Sequence, residues 1–127
     1  MRSDMKICFR LFGTTISPQE ITKLTSIVPT TSLLEGERNA ALNLPRKNLW
    51  TVESTVDSDI FEDHWDSLKE TLVKSKEVIR EISKTGSATL SIVIDSSHRL
   101  PSITIPPSMS AFAAYVNADI DIDHLQS

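Results

Sequence analysis

Between Asp59 and Lys84 the apolar residues Phe61, Trp65, Leu68, Leu72, Ile79 and Ile82 recur at intervals of three, four and, once, seven. At 3.6 residues per turn these positions form one stripe. Glu62, Asp66, Lys69, Glu70, Lys74, Glu77, Arg80 and Glu81 fill the other side. The spacing predicts a single helix over 59–84 that buries one face and keeps the other in water. Its acidic first turn suits the positive end of the helix dipole, and Gly86 is placed to stop it. So long an apolar stripe needs a broad surface to lie on, and the segments around it supply a sheet.

Met5 to Phe12 alternates, with Ile7, Phe9 and Leu11 on one face and Cys8, Arg10 and Phe12 on the other, and Gly13 ends the run. Such alternation is the mark of a strand. Asn48 to Val56 places Trp50, Val52 and Val56 together. Ala88 to Asp95 groups Ala88, Leu90, Ile92 and Ile94, with Val93 opposite, and Asp119 to Leu125 alternates Asp with Ile. Shorter strands are predicted over Thr30–Leu34 and around Ile103 and Ile105, the second closed by Pro106-Pro107. Ser17-Pro18-Gln19-Glu20 opens a helix, with Ser17 as cap, Pro18 in the first helical position and Glu20 closing a capping box. Ile21, Leu24 and Val28 form its stripe before Pro29. A further short helix carries Met109, Phe112 and Val116, capped by Ser108 or Ser110, with Asn117 suited to a left-handed exit.

The expected fold is therefore α+β: a roughly six-stranded, mostly antiparallel sheet and three helices in the order βαββαββαβ. Its first six elements follow the ferredoxin-like split βαβ order. No linker divides the chain, so residues 1–127 read as a single domain. Phe12 and Val93 give some strands apolar character on both faces, which fits helices on both sides or a dimer formed through an exposed sheet. Oligomeric state is open at this point.

Apolar residues make up 39% of the 127 positions and charged residues 24%, which is globular usage. The net charge of -4, without a basic cluster, argues against nucleic acid or a membrane surface as partner. No apolar stretch reaches a membrane span and no secretory signal opens the chain, so cytoplasmic residence is the default expectation. Cys8 is the single cysteine; it precludes an internal disulfide and reads as a small packing residue.

Gly13, Gly36 and Gly86 are too scattered to build a phosphate loop, and no Gly-flanked serine forms a nucleophile elbow. His64, His98 and His124 stand at no metal-ligand spacing. No metal, cofactor or catalytic residue is assigned, and the chain reads as a non-enzyme. One feature stands out. On a strand, Asp119, Asp121 and Asp123 project from one face about 6.5–7 Å apart, and three like charges in a row disfavour the strand. Solvent and cross-strand Lys or Arg partners offset this in one reading. In the other the three form a recognition face for a cation or a basic surface. A second candidate is a pocket at Trp50, with Arg46 and the Glu35-Gly36 turn, taking an anionic small molecule.

The order and spacing of these motifs resemble the bacterial domain-of-unknown-function family 4279 over nearly the whole chain. The resemblance rests on Phe9 with Phe12-Gly13, on Ser17-Pro18-Gln19-Glu20-Ile21, on Pro29-Thr30 and Gly36, and on Trp50. It continues through Leu90, Ile92 and Ile94, Ile103 and Ile105 with Pro106, and the closing Asp119-Ile120-Asp121-Ile122-Asp123. Where the family commonly ends this strand in an aromatic, His124 stands here. The resemblance implies no chemistry. Similar size and acidity suggest, by analogy, an immunity-type binding protein that occludes a basic partner, with the three aspartates carrying the electrostatics.

Overall fold

The structure, a computed structural model, describes residues 5–36, 47–95 and 102–125. Nine elements follow one another: β1 (Met5–Phe12), α1 (Pro18–Thr25), β2 (Thr31–Leu33), β3 (Leu49–Glu53), α2 (Phe61–Lys74), α3 (Lys76–Ser83), β4 (Ser87–Asp95), α4 (Pro107–Tyr115) and β5 (Ala118–Leu125). The strands form one sheet in the order β2-β3-β1-β4-β5. The pairs β2–β3, β3–β1 and β1–β4 are antiparallel, which is the pairing of a split βαβ unit. β5 then joins β4 in parallel through the crossover helix α4.

The fold is α+β, and it differs from the sequence expectation in three respects. The sheet is mixed rather than mostly antiparallel, because a helix joins β4 to β5 and carries the chain back to the same end. Five strands are present among the described residues, not six. Ile103 and Ile105 pack half-buried against the core without joining a ladder, and prolines 106 and 107 withhold the backbone donors that a ladder needs. Among the described residues there are four helices rather than three, because the segment expected as one helix over 59–84 breaks at Ser75. There φ is -107° and ψ 15°, and the Ser75 hydroxyl donates to the Thr25 carbonyl at the end of α1 (3.2 Å). Serine competes for backbone partners in this way, which is why it tolerates a helix break.

The helix start at Ser17 forms as its residues dictate: Ser17 Oγ accepts the Glu20 N–H at 3.2 Å and Pro18 occupies the first turn. The helix is shorter than its stripe suggested. It ends at Thr25, with Ser26 left-handed at φ 61°, so Leu24 and Val28 are exposed and only Ile21 of the three is buried. At α4, Pro106 rather than a serine takes the capping position, and Ser108 Oγ instead accepts the Trp65 indole N–H at 2.9 Å. Asn117 makes the expected left-handed exit at φ 59°.

Every helix contributes to one core. It is built from Met5, Ile7, Phe9 and Leu11 of β1, Trp50 and Val52 of β3, and Ala88, Leu90, Ile92 and Ile94 of β4. Ile21, Trp65, Leu72, Ile79, Met109, Phe112 and Val116 close it from the helices. The described helices therefore share one side of the sheet. The Ser83 hydroxyl donates to the Val116 carbonyl (2.7 Å) and ties α3 to the exit of α4, just before β5 begins.

Candidate functional site

Residues that alternate with the core positions make up the other face of the sheet, on which no described helix lies. The register orders them in rows across β1, β4 and β5: Arg10, Thr89 and Asp119; Cys8, Ser91 and Asp121; Lys6, Val93 and Asp123. The three aspartates thus share one face of a strand, as the alternation required, and all three are exposed. β5 is the last strand of the sheet, so its outer edge presents unpaired backbone groups.

Among the described residues of the sheet, nothing basic stands beside the aspartates. Their neighbours on β4 are Thr89, Ser91 and Val93. Lys6 and Arg10 lie one strand further on, about 10 Å away at a strand spacing near 4.8 Å. Lys6 pairs instead with Glu53 on β3, at 3.0 Å. Among the described residues none of the three aspartates makes an ion pair. Among the described residues, the cross-strand Lys or Arg partners weighed from the sequence do not pair with the column. Among the described residues no group of three His, Cys, Asp or Glu could hold a metal ion. His124 is exposed on the face opposite the aspartates, and His98 lies outside the described residues.

Cys8 sits in the middle of the aspartates' face and is buried, as are Ser91 and Thr51 on the same face. Desolvation pushes its thiol above the usual cysteine range, against the opposing pull of the Arg10 charge, so at neutral pH it is the protonated, unreactive form.

Trp50 does not line the cavity that Glu35 lines. Trp50 is fully buried in the core, its indole N–H donating to Thr22 Oγ1 at 3.1 Å. Arg46 lies outside the described residues. Glu35 is exposed and lines a cavity of about 210 Å³ with Gly13, Thr14, Thr15, Lys47 and Asn48. Asn48 builds its wall: the side-chain amide donates to the carbonyls of Thr14 (2.8 Å) and Ile16 (3.1 Å), and its oxygen accepts the Glu35 N–H (2.7 Å). Sequence reasoning missed Thr14 and Asn48. The available signal was a strand-ending glycine at 13 and a buried asparagine at a strand start, neither specific alone.

His64, at no metal-ligand spacing in the sequence, is hydrogen-bonded and buried, with 1% of its surface exposed. Nε2 lies 2.8 Å from the Ser58 carbonyl, which can only accept, and Nδ1 lies 2.9 Å from Ser54 Oγ. In the neutral ring, Nε2–H therefore donates to Ser58 and Nδ1 accepts the Ser54 hydroxyl proton. Ser54 Oγ in turn accepts the Ile7 N–H at 2.9 Å. The Ser–His contact is a clamp joining the exit of β3 to β1 and to the start of α2.

A sequence model of one family, described as a domain of unknown function (DUF4279), matches residues 3–127, and the chain belongs to that family. No curated protein matches the chain. No solved structure matches it.

Proposed function

We propose that this member of a family without an assigned function is a non-enzymatic interaction module. The sheet face on which no described helix lies docks a positively charged protein surface through Asp119, Asp121 and Asp123. One observation carries the reading: three exposed carboxylates stand in line on the last strand, with no ion pair among the described residues and only Thr89, Ser91 and Val93 beside them. A rigid strand holds the charges at fixed spacing, so little ordering entropy is lost on docking. Complementary charge would speed and orient encounter more than it would add affinity. An immunity-type role, in which the module covers a basic toxin and excludes its substrate, is the form of this function that the chain's size and acidity favour.

The test uses an extended lysine-rich peptide as probe, followed by fluorescence anisotropy at low salt. Changing all three aspartates to asparagine is expected to weaken binding at least about tenfold. Changing Glu70, Glu77 and Glu81 to glutamine removes the same charge from the helices and is expected to leave binding near its original value. Equal losses in the two variants would reduce the effect to net charge and remove the site.

A second reading has its own observation, the cavity between Glu35 and Lys47. A carboxylate and an ammonium lining one polar cleft suit a small ligand with an anionic group, held by Lys47. About 210 Å³ admits a molecule of amino-acid size and falls short of the usual drug-sized pocket. Thermal-shift screening of small carboxylates and amino acids is expected to find a stabilising ligand whose effect disappears in Lys47→Ala. A screen in which no compound distinguishes that variant from the parent discards this reading.

A further inference from the structure

The sheet face that bears the aspartates carries charge of both signs in separate columns, and the register places them symmetrically about β4. Arg10 and Lys6 stand on β1, to one side; Asp119, Asp121 and Asp123 stand on β5, to the other. Each column is one strand spacing, about 4.8 Å, from β4. The column between them, Thr89, Ser91 and Val93, is uncharged and short.

We propose that this face pairs with the same face of a second copy, across a two-fold axis running along β4. This rests on the reading of the aspartate column as a recognition surface and names the partner it recognises. A two-fold rotation about a line above β4 and parallel to it preserves position along the strand and exchanges left for right. β5 of the second copy then lies over β1 of the first, and β1 over β5. Arg10, Thr89 and Asp119 share one row, so Asp119 of the second copy stands over Arg10. Lys6, Val93 and Asp123 share another, so Asp123 of the second copy stands over Lys6. Asp121 of the second copy falls over Cys8, between the two cations. Such an interface is isologous: each charge pair occurs twice.

Sheet twist does not spoil the match. Stacked sheets cross at about 30°, which offsets a residue two places from the axis by about 3 Å, within reach of Arg and Lys side chains. Thr89 and Val93 then meet their own counterparts on the axis. The alternative self-pairing, edge to edge through β5, sets the two aspartate columns beside each other and is repelled. Glu53 stands beside Cys8 on the same face and pairs with Lys6 at 3.0 Å, so Asp123 of the second copy shares that cation and the Arg10–Asp119 pair carries the match.

Three strands of this length offer about 400–500 Å² per copy, at the low end for specific association. The dimer is therefore weak, populated at high protein concentration and sensitive to salt. Sedimentation equilibrium of the full chain at about 200 μM is expected to show dimer at about 50 mM salt and mostly monomer at about 500 mM. Arg10→Asp alone and Asp119→Arg alone are each expected to weaken association at least about tenfold, and the two together to restore it to within about threefold. A measurement independent of those charges is thiol cross-linking in a Cys8→Ser background with a bismaleimide of about 10 Å reach, the spacing of stacked sheets. Thr89→Cys, near the axis, is expected to give a cross-linked dimer; Glu77→Cys, on α3, is not. A chain that stays monomeric at low salt, a double variant that fails to restore association, or cross-linking no better at residue 89 than at residue 77 overturns the inference. If the chain is monomeric while the lysine-rich peptide still requires the three aspartates, self-pairing falls and the recognition reading stands. If both signals are absent, both fall.

Discussion

Alanine at Gly86 is expected to destabilise the fold by about 3 kcal/mol, more than most substitutions of one hydrogen by a methyl group. A Cβ built there meets the Phe12 carbonyl oxygen at 2.3 Å, the Gly13 carbonyl carbon at 2.8 Å and the Thr14 nitrogen at 2.9 Å. All three are backbone atoms, so no side chain can swing aside to make room. Gly86 lies where the turn from α3 into β4 crosses the turn leaving β1. Thr85 Oγ1 accepts the Thr15 N–H at 3.1 Å there and locks the two turns together. Gly36 is the control. It needs a left-handed backbone, at φ 85°, but has open space around its Cβ position, so Gly36→Ala is expected to cost only about 1 kcal/mol. Urea unfolding of the two variants measures the difference. Equal midpoints would mean that the crossing of the turns can relax. Because Ser87 pairs with Phe12, a shift at residue 86 also threatens the rows that set Arg10 beside Thr89.

Gly86 shows what a sequence conceals. It was read as a helix stop, a local role, and its larger constraint comes from residues more than seventy positions earlier. The same limit explains the other departures. Alternation in β1, β3, β4 and β5 is a local pattern, and each strand lies where its pattern placed it, except that β3 ends at Glu53 and leaves Val56 outside it and exposed. The break at Ser75 depends on a contact with the end of α1, and a stripe that continues through it gives no warning. Ile103 and Ile105 alternate because both pack inward, which an unpaired segment next to two prolines can do as well as a strand.

The candidate site divides along the same line. That Asp119, Asp121 and Asp123 share a face follows from the period of a strand. What lies beside them does not: the neighbours on β4 and the distance to Lys6 and Arg10 are set by strand order and parallel register. Trp50 was weighed both as core and as pocket floor, and its alternation with Val52 already favoured the core. The Glu35–Lys47 cavity joins the end of β2 to the start of β3 and the turn after β1, a convergence that spacing alone does not display.

Trp65→Ala is expected to be the most damaging core truncation, at about 3–5 kcal/mol. A domain of ordinary stability has about 5–15 kcal/mol in all, so the variant should stand near its unfolding threshold. The indole is fully buried on α2 and joins that helix to α4 in two ways. Its N–H donates to Ser108 Oγ, and its ring lies 5.9 Å from that of Phe112, which stands edge-on to Phe9 of β1 at 5.6 Å. Removing it leaves a cavity between the sheet, α2 and α4. The loss should fall unevenly, because α4 leads directly into β5, which has a single neighbouring strand. Hydrogen exchange is therefore expected to show protection falling first over residues 107–125, while β1 and β3 keep theirs. Trp50, the remaining tryptophan, reports unfolding of the other side of the sheet by fluorescence. Trp65→Phe keeps most of the volume and loses the bond to Ser108, and is expected to cost about 1–2 kcal/mol. Uniform loss of protection in Trp65→Ala would show that α4 and β5 unfold only with the whole domain. Selective loss would mean that the indole, on the far side of the sheet from the aspartates, is what holds their strand in place.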